Sequence, residues 1–60
     1  MQLEITLNEI ENEDFLSIRE AHQCYEWLKN VVIKIHPEDN THEKLLNYVQ
    51  LYKEMIFQST

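Results

Sequence analysis

Hydrophobic residues divide the chain into three segments with different periodicities. The first segment, residues 1–14, opens with apolar residues at every second position, namely Met1, Leu3, Ile5 and Leu7. A period of two is typical of a strand with one buried face. A helix competes with this interpretation, because Thr6 followed by Glu9 has the spacing of a capping box. Both alternatives stay open for residues 1–7, and the acidic residues that follow predict an exposed N-terminal arm up to residue 14.

The second segment, residues 15–35, has the periodicity of an α-helix. Ser17 and Glu20 have capping-box spacing near its start, and Pro37 ends it because the residue before a proline avoids helical backbone. Its apolar residues recur at intervals of three and four, as in a seam between packed helices: Ile18, Ala21, Tyr25, Leu28, Val32 and Ile35. We therefore predict one continuous helix over residues 15–35.

The end of this segment also permits a different structure. Residues 31–33 and 35 are β-branched, and residues of this type favour strands. Asn30 could end the helix in a left-handed conformation and release a strand over residues 31–35. The alternative fold class is therefore α+β, with strands at 1–7 and 31–35 paired in a small sheet.

The third segment, residues 41–57, predicts a second helix after a loop at residues 36–40. Asn40 followed by Glu43 supplies a helix start, and Asp39 is a second candidate for the cap. A broad apolar stripe follows at helical spacing, formed by Leu45, Tyr48, Val49, Tyr52, Met55 and Ile56. Two helices joined by a short loop imply an antiparallel hairpin, so the predicted fold class is all-α.

The small size of the chain predicts self-association. The 60 residues are expected to form one domain, and a domain of this size buries too little surface to be more than marginally stable. The single cysteine, Cys24, excludes an internal disulfide as extra support. We therefore expect two hairpins to pair into a four-helix dimer. The residues expected at this contact are Ile18, Tyr25, Leu28, Val32, Leu45, Val49, Tyr52 and Ile56.

Composition argues against several classes of function. The chain has no glycine, which phosphate-binding loops, dinucleotide-binding loops and nucleophile elbows need for close backbone approach. Eleven acidic residues against five basic ones give a net charge of −6, which argues against direct binding of nucleic acid. The chain has no apolar run of membrane-spanning length and no secretory signal at its N-terminus. We expect a cytoplasmic protein that is not an enzyme, holds no cofactor and does not bind a membrane.

The few metal-ligating and nucleophilic residues predict no reactive site. His36, Asp39, His42 and Glu43 surround the loop, but zinc sites have tighter paired spacings and more Cys or His residues. Cys24 flanks the helix seam, which favours a small buried hydrophobic side chain over a nucleophile. We therefore expect neither a bound metal nor a catalytic residue.

Two groups of residues predict a surface for another protein. Residues 1–26 carry the whole net charge of −6, with seven acids and one base, whereas residues 27–60 hold four of each. This excess of acidic residues is larger than their favourable interaction with helix N-termini explains. We therefore expect an acidic patch that faces a basic partner, formed by Glu9, Glu11, Glu13 and Asp14. Three apolar residues fall outside the helix seams and are expected to make a further contact: Trp27, Leu46 and Phe57.

These features together predict a small acidic, non-enzymatic regulator or inhibitor that acts by protein–protein contact. Its expected partner has a basic surface, which could be one that otherwise holds nucleic acid. In size and charge alone, the chain resembles small regulators and inhibitors that act by occupying another protein. The alternative is a structural or assembly subunit whose main task is self-association.

Overall fold

The computed structural model describes residues 2–15 and 17–58. The helical elements are α1 (Leu7–Glu11), α2 (Ile18–Trp27), a π-helical turn (Leu28–Val32), α3 (Ile33–Ile35), a 3-10 turn (Pro37–Asp39) and α4 (His42–Gln58). The π-helical turn and α3 continue α2 without a break, because the backbone at both junctions is right-handed helical. Within the described ranges the chain is mostly helical, contains no strand and is compact, which confirms the all-α class.

The alternative strand at residues 31–35 is wrong. The backbone there is helical, with φ −62° and ψ −51° at Val32 and φ −72° and ψ −28° at Ile33. Both side chains are buried in the core, at 5 % and 1 % exposure. Burial of a large aliphatic side chain is worth about 1.5–3 kcal/mol, which outweighs a strand preference spread over about 1 kcal/mol.

The strand expected at residues 1–7 is also absent from the part that the structure describes. Residues 2–6 are irregular, and α1 begins at Leu7. The Thr6 hydroxyl oxygen accepts the N–H of Glu9 at 3.1 Å, so the capping alternative is the correct one. Met1 lies outside the described residues.

The π-helical turn changes which residues of this helical segment face the core. A π turn holds more residues than an α turn, so the side chains beyond it are rotated around the helix axis. Ile33 is therefore buried, whereas Ile35, which regular spacing places on the seam, is 64 % exposed. At the other end Ile18 is 65 % exposed, and Cys24 rather than Tyr25 is fully buried. The predicted seam is thus wrong at both of its ends.

Local side-chain caps define where α2 begins. The Ser17 hydroxyl oxygen accepts the N–H of Glu20 at 3.2 Å, and the Ser17 O–H donates to Glu20 Oε1 at 3.0 Å. The first bond confirms Ser17 as the predicted cap of α2. The second joins the two side chains, in place of the backbone N–H bond that would complete a capping box. The helix begins directly after its cap, at Ile18.

The cap of α4 differs from the prediction, because Thr41 takes the place expected for Asn40. The Thr41 hydroxyl oxygen accepts the N–H of Lys44 at 3.3 Å, and α4 begins at His42. The Asn40 side chain bonds the N-terminal residues instead. Its Oδ1 accepts the N–H of Glu4 at 3.1 Å, and its Nδ2 donates to the carbonyl of Gln2 at 3.4 Å. Asn40 therefore fastens the N-terminal residues to the loop between the long helices.

The core draws side chains from almost every part of the chain. Its buried hydrophobic residues are Leu3, Ile5, Ile10, Ala21, Cys24, Leu28, Val32, Ile33, Leu45 and Val49. Three of these precede α2, so the predicted solvated N-terminal arm is instead packed against the helices. The excess of acidic residues in this part of the chain suggested exposure, but the apolar residues between them are buried.

Replacing Ile10 by alanine should destabilise the protein by about 2–4 kcal/mol, because the side chain is fully buried in the core. The matched control is Ile18→Ala, at a position 65 % exposed, which should change the free energy of unfolding by less than about 0.5 kcal/mol. Urea titration followed by circular dichroism measures both values. Equal effects of the two substitutions would mean that α1 contributes nothing to the core.

Candidate protein-contact surfaces

Three aromatic rings from α2 and α4 form a cluster at the surface. The half-buried Trp27 ring lies 6.1 Å from the Tyr48 ring, edge-on at an interplanar angle of 73°. Its centroid is 5.2 Å from that of Tyr52, with an angle of 39°. Aromatic pairs at these separations are attractive beyond their buried area, so the three rings hold one another in place.

A hydrogen bond orients the Tyr48 ring further. Its O–H donates to Asp39 Oδ2 at 2.8 Å. This bond, with smaller contributions from burial and from the charges of Asp39 and Glu38, raises the pKa of Tyr48. The pKa of Tyr52 is raised as well, first by burial and then by the nearby Cys24 and Glu20. Both phenols therefore stay neutral at physiological pH.

Exposed aliphatic side chains continue this cluster along both helices. On α4, Leu51 and Met55 are 48 % and 44 % exposed and lie at helical spacing from Tyr48 and Tyr52. Val31, one turn after Trp27, is 42 % exposed. We call this surface the aromatic face, which comprises Trp27, Val31, Tyr48, Leu51, Tyr52 and Met55. Adjacent exposed apolar groups of this kind mark interaction surfaces more often than isolated ones do.

The acidic residues near the N-terminus contact both long helices. Glu9 Oε2 lies 2.6 Å from His42 Nε2, and Glu11 Oε2 lies 3.3 Å from His22 Nε2. Glu13 Oε1 accepts the Gln50 side-chain N–H at 3.4 Å. The first two contacts link α1 to α4 and to α2, and the third ties the segment after α1 to α4. Three of the four acids predicted to face a partner therefore also hold the fold together.

These contacts leave most of the acidic charge uncompensated. The three contacts join carboxylates to histidine or amide side chains, not to lysine or arginine. Among the described residues, the carboxylate in a salt bridge with lysine is that of Glu26, 3.7 Å from Lys29 Nζ. We call the charged N-terminal surface the acidic layer, which comprises Glu4, Glu9, Glu11, Glu13 and Asp14. The layer therefore carries an excess of negative charge that no described lysine or arginine contact offsets.

The aromatic face and the acidic layer lie on different sides of the long helices. In α2, His22 contacts α1, whereas Trp27 belongs to the aromatic face, and residues five apart do not share a helix face. In α4, Gln50 contacts the acidic layer and is separated by only one residue from Tyr48 of the aromatic face. Residues two apart on a helix likewise point in different directions.

The structure does not bring together the three apolar residues predicted to contact a partner. Leu46 is half-buried and Phe57 is 48 % exposed, on the side of α4 that faces residues 13–15. The Lys53 ammonium lies 5.8 Å from the Phe15 ring on this side. Trp27 lies on the other side, in the aromatic face. Residues 13–15 thus contact Gln50 and Lys53 on the same side of α4 as Leu46 and Phe57.

Half of the residues predicted for self-association are not accessible. The core of a single chain already buries Leu28, Val32, Leu45 and Val49. Ile18 is exposed and Tyr25 half-buried, with the Lys29 ammonium 5.7 Å from the Tyr25 ring. Ile56 is half-buried, and Tyr52 belongs to the aromatic face. As a correction, a contact between copies cannot use the four buried residues.

Four residues of the aromatic face were not among the predicted contacts. They are Val31, Tyr48, Leu51 and Met55. Tyr48, Leu51, Tyr52 and Met55 follow the spacing of one helix side, so the signal for most of this surface was present. The predicted stripe of α4 leaves out Leu51, and only Leu45, Val49, Tyr52 and Ile56 of that stripe are predicted to form the contact between copies.

The described residues enclose no pocket. The group that could hold a metal consists of His36, Glu38 and Asp39, whose ligand atoms lie within 4.8 Å of one another. His36 and Glu38 are exposed, and Asp39 already accepts the Tyr48 O–H. His42, the other histidine near the loop, contacts Glu9 instead. Exposed groups of this kind are common in acidic proteins, and we assign this one no function.

The only thiol of the chain is buried in the core. Cys24 is 0 % exposed and is a free cysteine. Burial raises the pKa of its thiol from 9.0 to about 12. Because the thiolate is the nucleophilic form, this cysteine acts as a small hydrophobic side chain at physiological pH. The sequence-based expectation of a buried cysteine is confirmed.

Comparison with known proteins finds no match: no protein-family model, no curated protein and no solved structure is similar to the chain at a significant level. No helix within residues 2–15 and 17–58 has the length and apolar character needed to cross a membrane. What the chain does must therefore be inferred from its own surfaces.

The neutral Cys24 thiol should make stability fall at alkaline pH. Its pKa of about 12 when folded exceeds the ordinary 9.0 expected when unfolded, so the unfolded chain loses this proton first. The contribution is complete below pH 9 and is lost as the pH rises from 9 towards 12. In urea titrations between pH 8 and about 10.5, the stability difference between wild type and Cys24→Ala should shrink. Parallel pH curves for the two proteins would contradict this expectation.

Proposed function

We propose that this chain is a small, non-enzymatic regulator or inhibitor that binds another protein through the acidic layer. The uncompensated charge of that layer is the observation that supports the proposal. The layer belongs to a region holding seven acids and one base, and its described contacts are made with histidine and glutamine side chains. A surface of one sign attracts a partner of the opposite sign and discourages others.

The chemistry of the partner follows from this charge. A basic protein surface fits the acidic layer, and many basic surfaces serve to hold nucleic acid, so the chain could compete with nucleic acid for such a site. The same charge opposes direct contact between this chain and nucleic acid. A free cysteine suits the reducing cytoplasm, where we place the protein.

An antiparallel hairpin of α2 and α4 is part of this proposal. The order of contacts between the helices supports it, since Trp27 contacts Tyr48 and Tyr52 while the earlier residue Glu20 lies near Tyr52. The alternative function is that of an assembly subunit, in which two hairpins pair into a four-helix bundle. The exposed aromatic face favours this pairing of two hairpins. One protein can both associate with its own copy and regulate a different partner.

A chemical cross-linking experiment tests the regulator proposal. The full chain, labelled at its N-terminus, is incubated with an extract of the cells that express it and is then chemically cross-linked. The proteins joined to it are identified by mass spectrometry. The proposal expects basic proteins whose recovery falls when the salt concentration is raised. Above physiological ionic strength the screening length is shorter than about 8 Å, which weakens the attraction between the charged surfaces. Recovery of no protein, or of proteins whose capture is insensitive to salt, would oppose it.

Neutralising two exposed acids should slow association with a captured partner. Glu4→Gln with Asp14→Asn removes charge from the acidic layer without touching the Glu9 and Glu11 contacts that hold α1. We expect an association rate about three times lower at low salt, with the dissociation rate nearly unchanged. Stopped-flow or surface-based kinetics at two salt concentrations measures both rates.

The matched control is Glu43→Gln with Glu54→Gln, which removes the same charge from two exposed positions on α4. It should slow association less than the change in the acidic layer does. Equal slowing by both pairs would show that only the net charge matters and would contradict a contact at the acidic layer.

A further inference from the structure

We propose that the aromatic face binds a basic amphipathic helix of another protein, with an arginine or lysine side chain of that helix over the rings of Trp27, Tyr48 and Tyr52. The acidic layer lies on a different side of the molecule, so this contact goes beyond the function proposed above and can fail independently of it. The occupant follows from the charge around the rings, from the cations that cover other rings of this chain, and from the exposed aliphatic side chains.

Carboxylates lie close to both tyrosines of the aromatic face. Asp39 Oδ2 accepts the Tyr48 O–H at 2.8 Å, and the charge of Glu38 acts on the same phenol. Tyr52 is influenced by the charge of Glu20, after burial and Cys24. No lysine or arginine is among the described groups that act on either phenol. The rings therefore lie in a negative local field, which attracts a cation.

The wider surroundings of the aromatic face are also acidic on balance. Two lysines lie at its edge, each one helical turn from one of its members, and Glu54 lies one turn from Leu51. The apolar side chains alone would suit a second copy of this chain equally well, but antiparallel pairing of two copies would bring Glu20 against Glu38 and Asp39. A basic partner instead offsets the excess of four acids over two bases, namely Glu20, Glu38, Asp39 and Glu54 against Lys34 and Lys44.

Lysines of this chain cover aromatic rings elsewhere on its surface. Lys29 Nζ lies 5.7 Å from the centroid of the Tyr25 ring, and Lys53 Nζ lies 5.8 Å from that of Phe15. Among the described contacts, no cation lies over the three rings of the aromatic face. A ring attracts a cation within about 6 Å of its centroid, and tryptophan does so most strongly. The guanidinium or ammonium group of a partner therefore fits these rings.

Exposed aliphatic side chains beside the rings suit the apolar side of a helix. Leu51, Met55 and Val31 are 48 %, 44 % and 42 % exposed, and they come from both of the long helical segments. A third helix laid along these segments would bury them, as in the recognition of amphipathic helices by apolar grooves. The rings are already ordered by their mutual contacts, which reduces the entropy lost on binding.

The fluorescence of Trp27 tests the contact directly, because Trp27 is the only tryptophan of the chain. The probe is a synthetic amphipathic helix of leucine, alanine and lysine without tryptophan. Binding should move the emission to shorter wavelength in a saturable way, because the half-buried ring loses its remaining contact with water. A peptide with glutamate in place of lysine, and a scrambled peptide of unchanged composition, should each bind about tenfold more weakly.

Substitutions on the chain locate the bound peptide. Leu51→Ser should weaken its binding about fivefold, because apolar contact is lost. Phe57→Ser is the matched control and should leave the affinity unchanged, since Phe57 is equally exposed at 48 % on the same helix but lies outside the aromatic face. Glu20→Gln with Glu38→Gln should weaken binding about threefold at low salt, and this effect should shrink as the salt concentration rises.

The acidic layer supplies the control for net charge. Glu4→Gln with Asp14→Asn removes the same charge as Glu20→Gln with Glu38→Gln, but from another side of the molecule, and should leave the peptide affinity nearly unchanged. Circular dichroism must show unchanged helicity, and glutamine at position 20 can still accept the Ser17 O–H.

Three results would overturn the proposal. The first is equal weakening by both pairs of charge substitutions, and the second is equal weakening by Leu51→Ser and Phe57→Ser. The third is a Trp27 emission that depends on the concentration of the chain alone and not on the peptide, which would place a second copy on the aromatic face.

Discussion

Closing a small core on every side is the constraint on which the rest of this structure depends. Two helices packed against each other bury their shared stripe but leave its flanks open to water. The residues before α2 close one flank, and Leu3, Ile5 and Ile10 are buried there. Ten hydrophobic residues are buried in the part of the chain that the structure describes, so the loss of these three would remove a large part of the core.

Polar contacts position the N-terminal residues over this flank. Asn40 bonds the backbone of residues 2 and 4, while Glu9 and Glu11 contact histidines of α4 and α2. Polar contacts at an exposed surface each contribute only about 0–1 kcal/mol to stability. They therefore orient the N-terminal residues, which are held in place by the burial of their apolar side chains. The described partners of these carboxylates are histidines, not lysine or arginine, so the surface has an excess of acidic over basic residues. A structural role and an acidic surface therefore coexist in the same residues.

The opposite flank has a different character, because no described segment covers it. Trp27, Tyr48 and Tyr52 shield this side of the core themselves, and exposed aliphatic residues continue the surface along the helices. The molecule consequently has one charged side and one apolar side, which suit two different kinds of contact.

The amino-acid sequence by itself determined the helices, because their signals act over three or four residues. The Ser17 cap, the stop before Pro37 and the apolar stripe of α4 are of this kind. Only the tertiary structure decided which side of each helix is covered. The π-helical turn rotates Ile33 into the core, and the Glu9–His42 and Glu4–Asn40 contacts join residues 33 and 36 positions apart. Such contacts leave no local pattern, since they depend on how the helices meet in space.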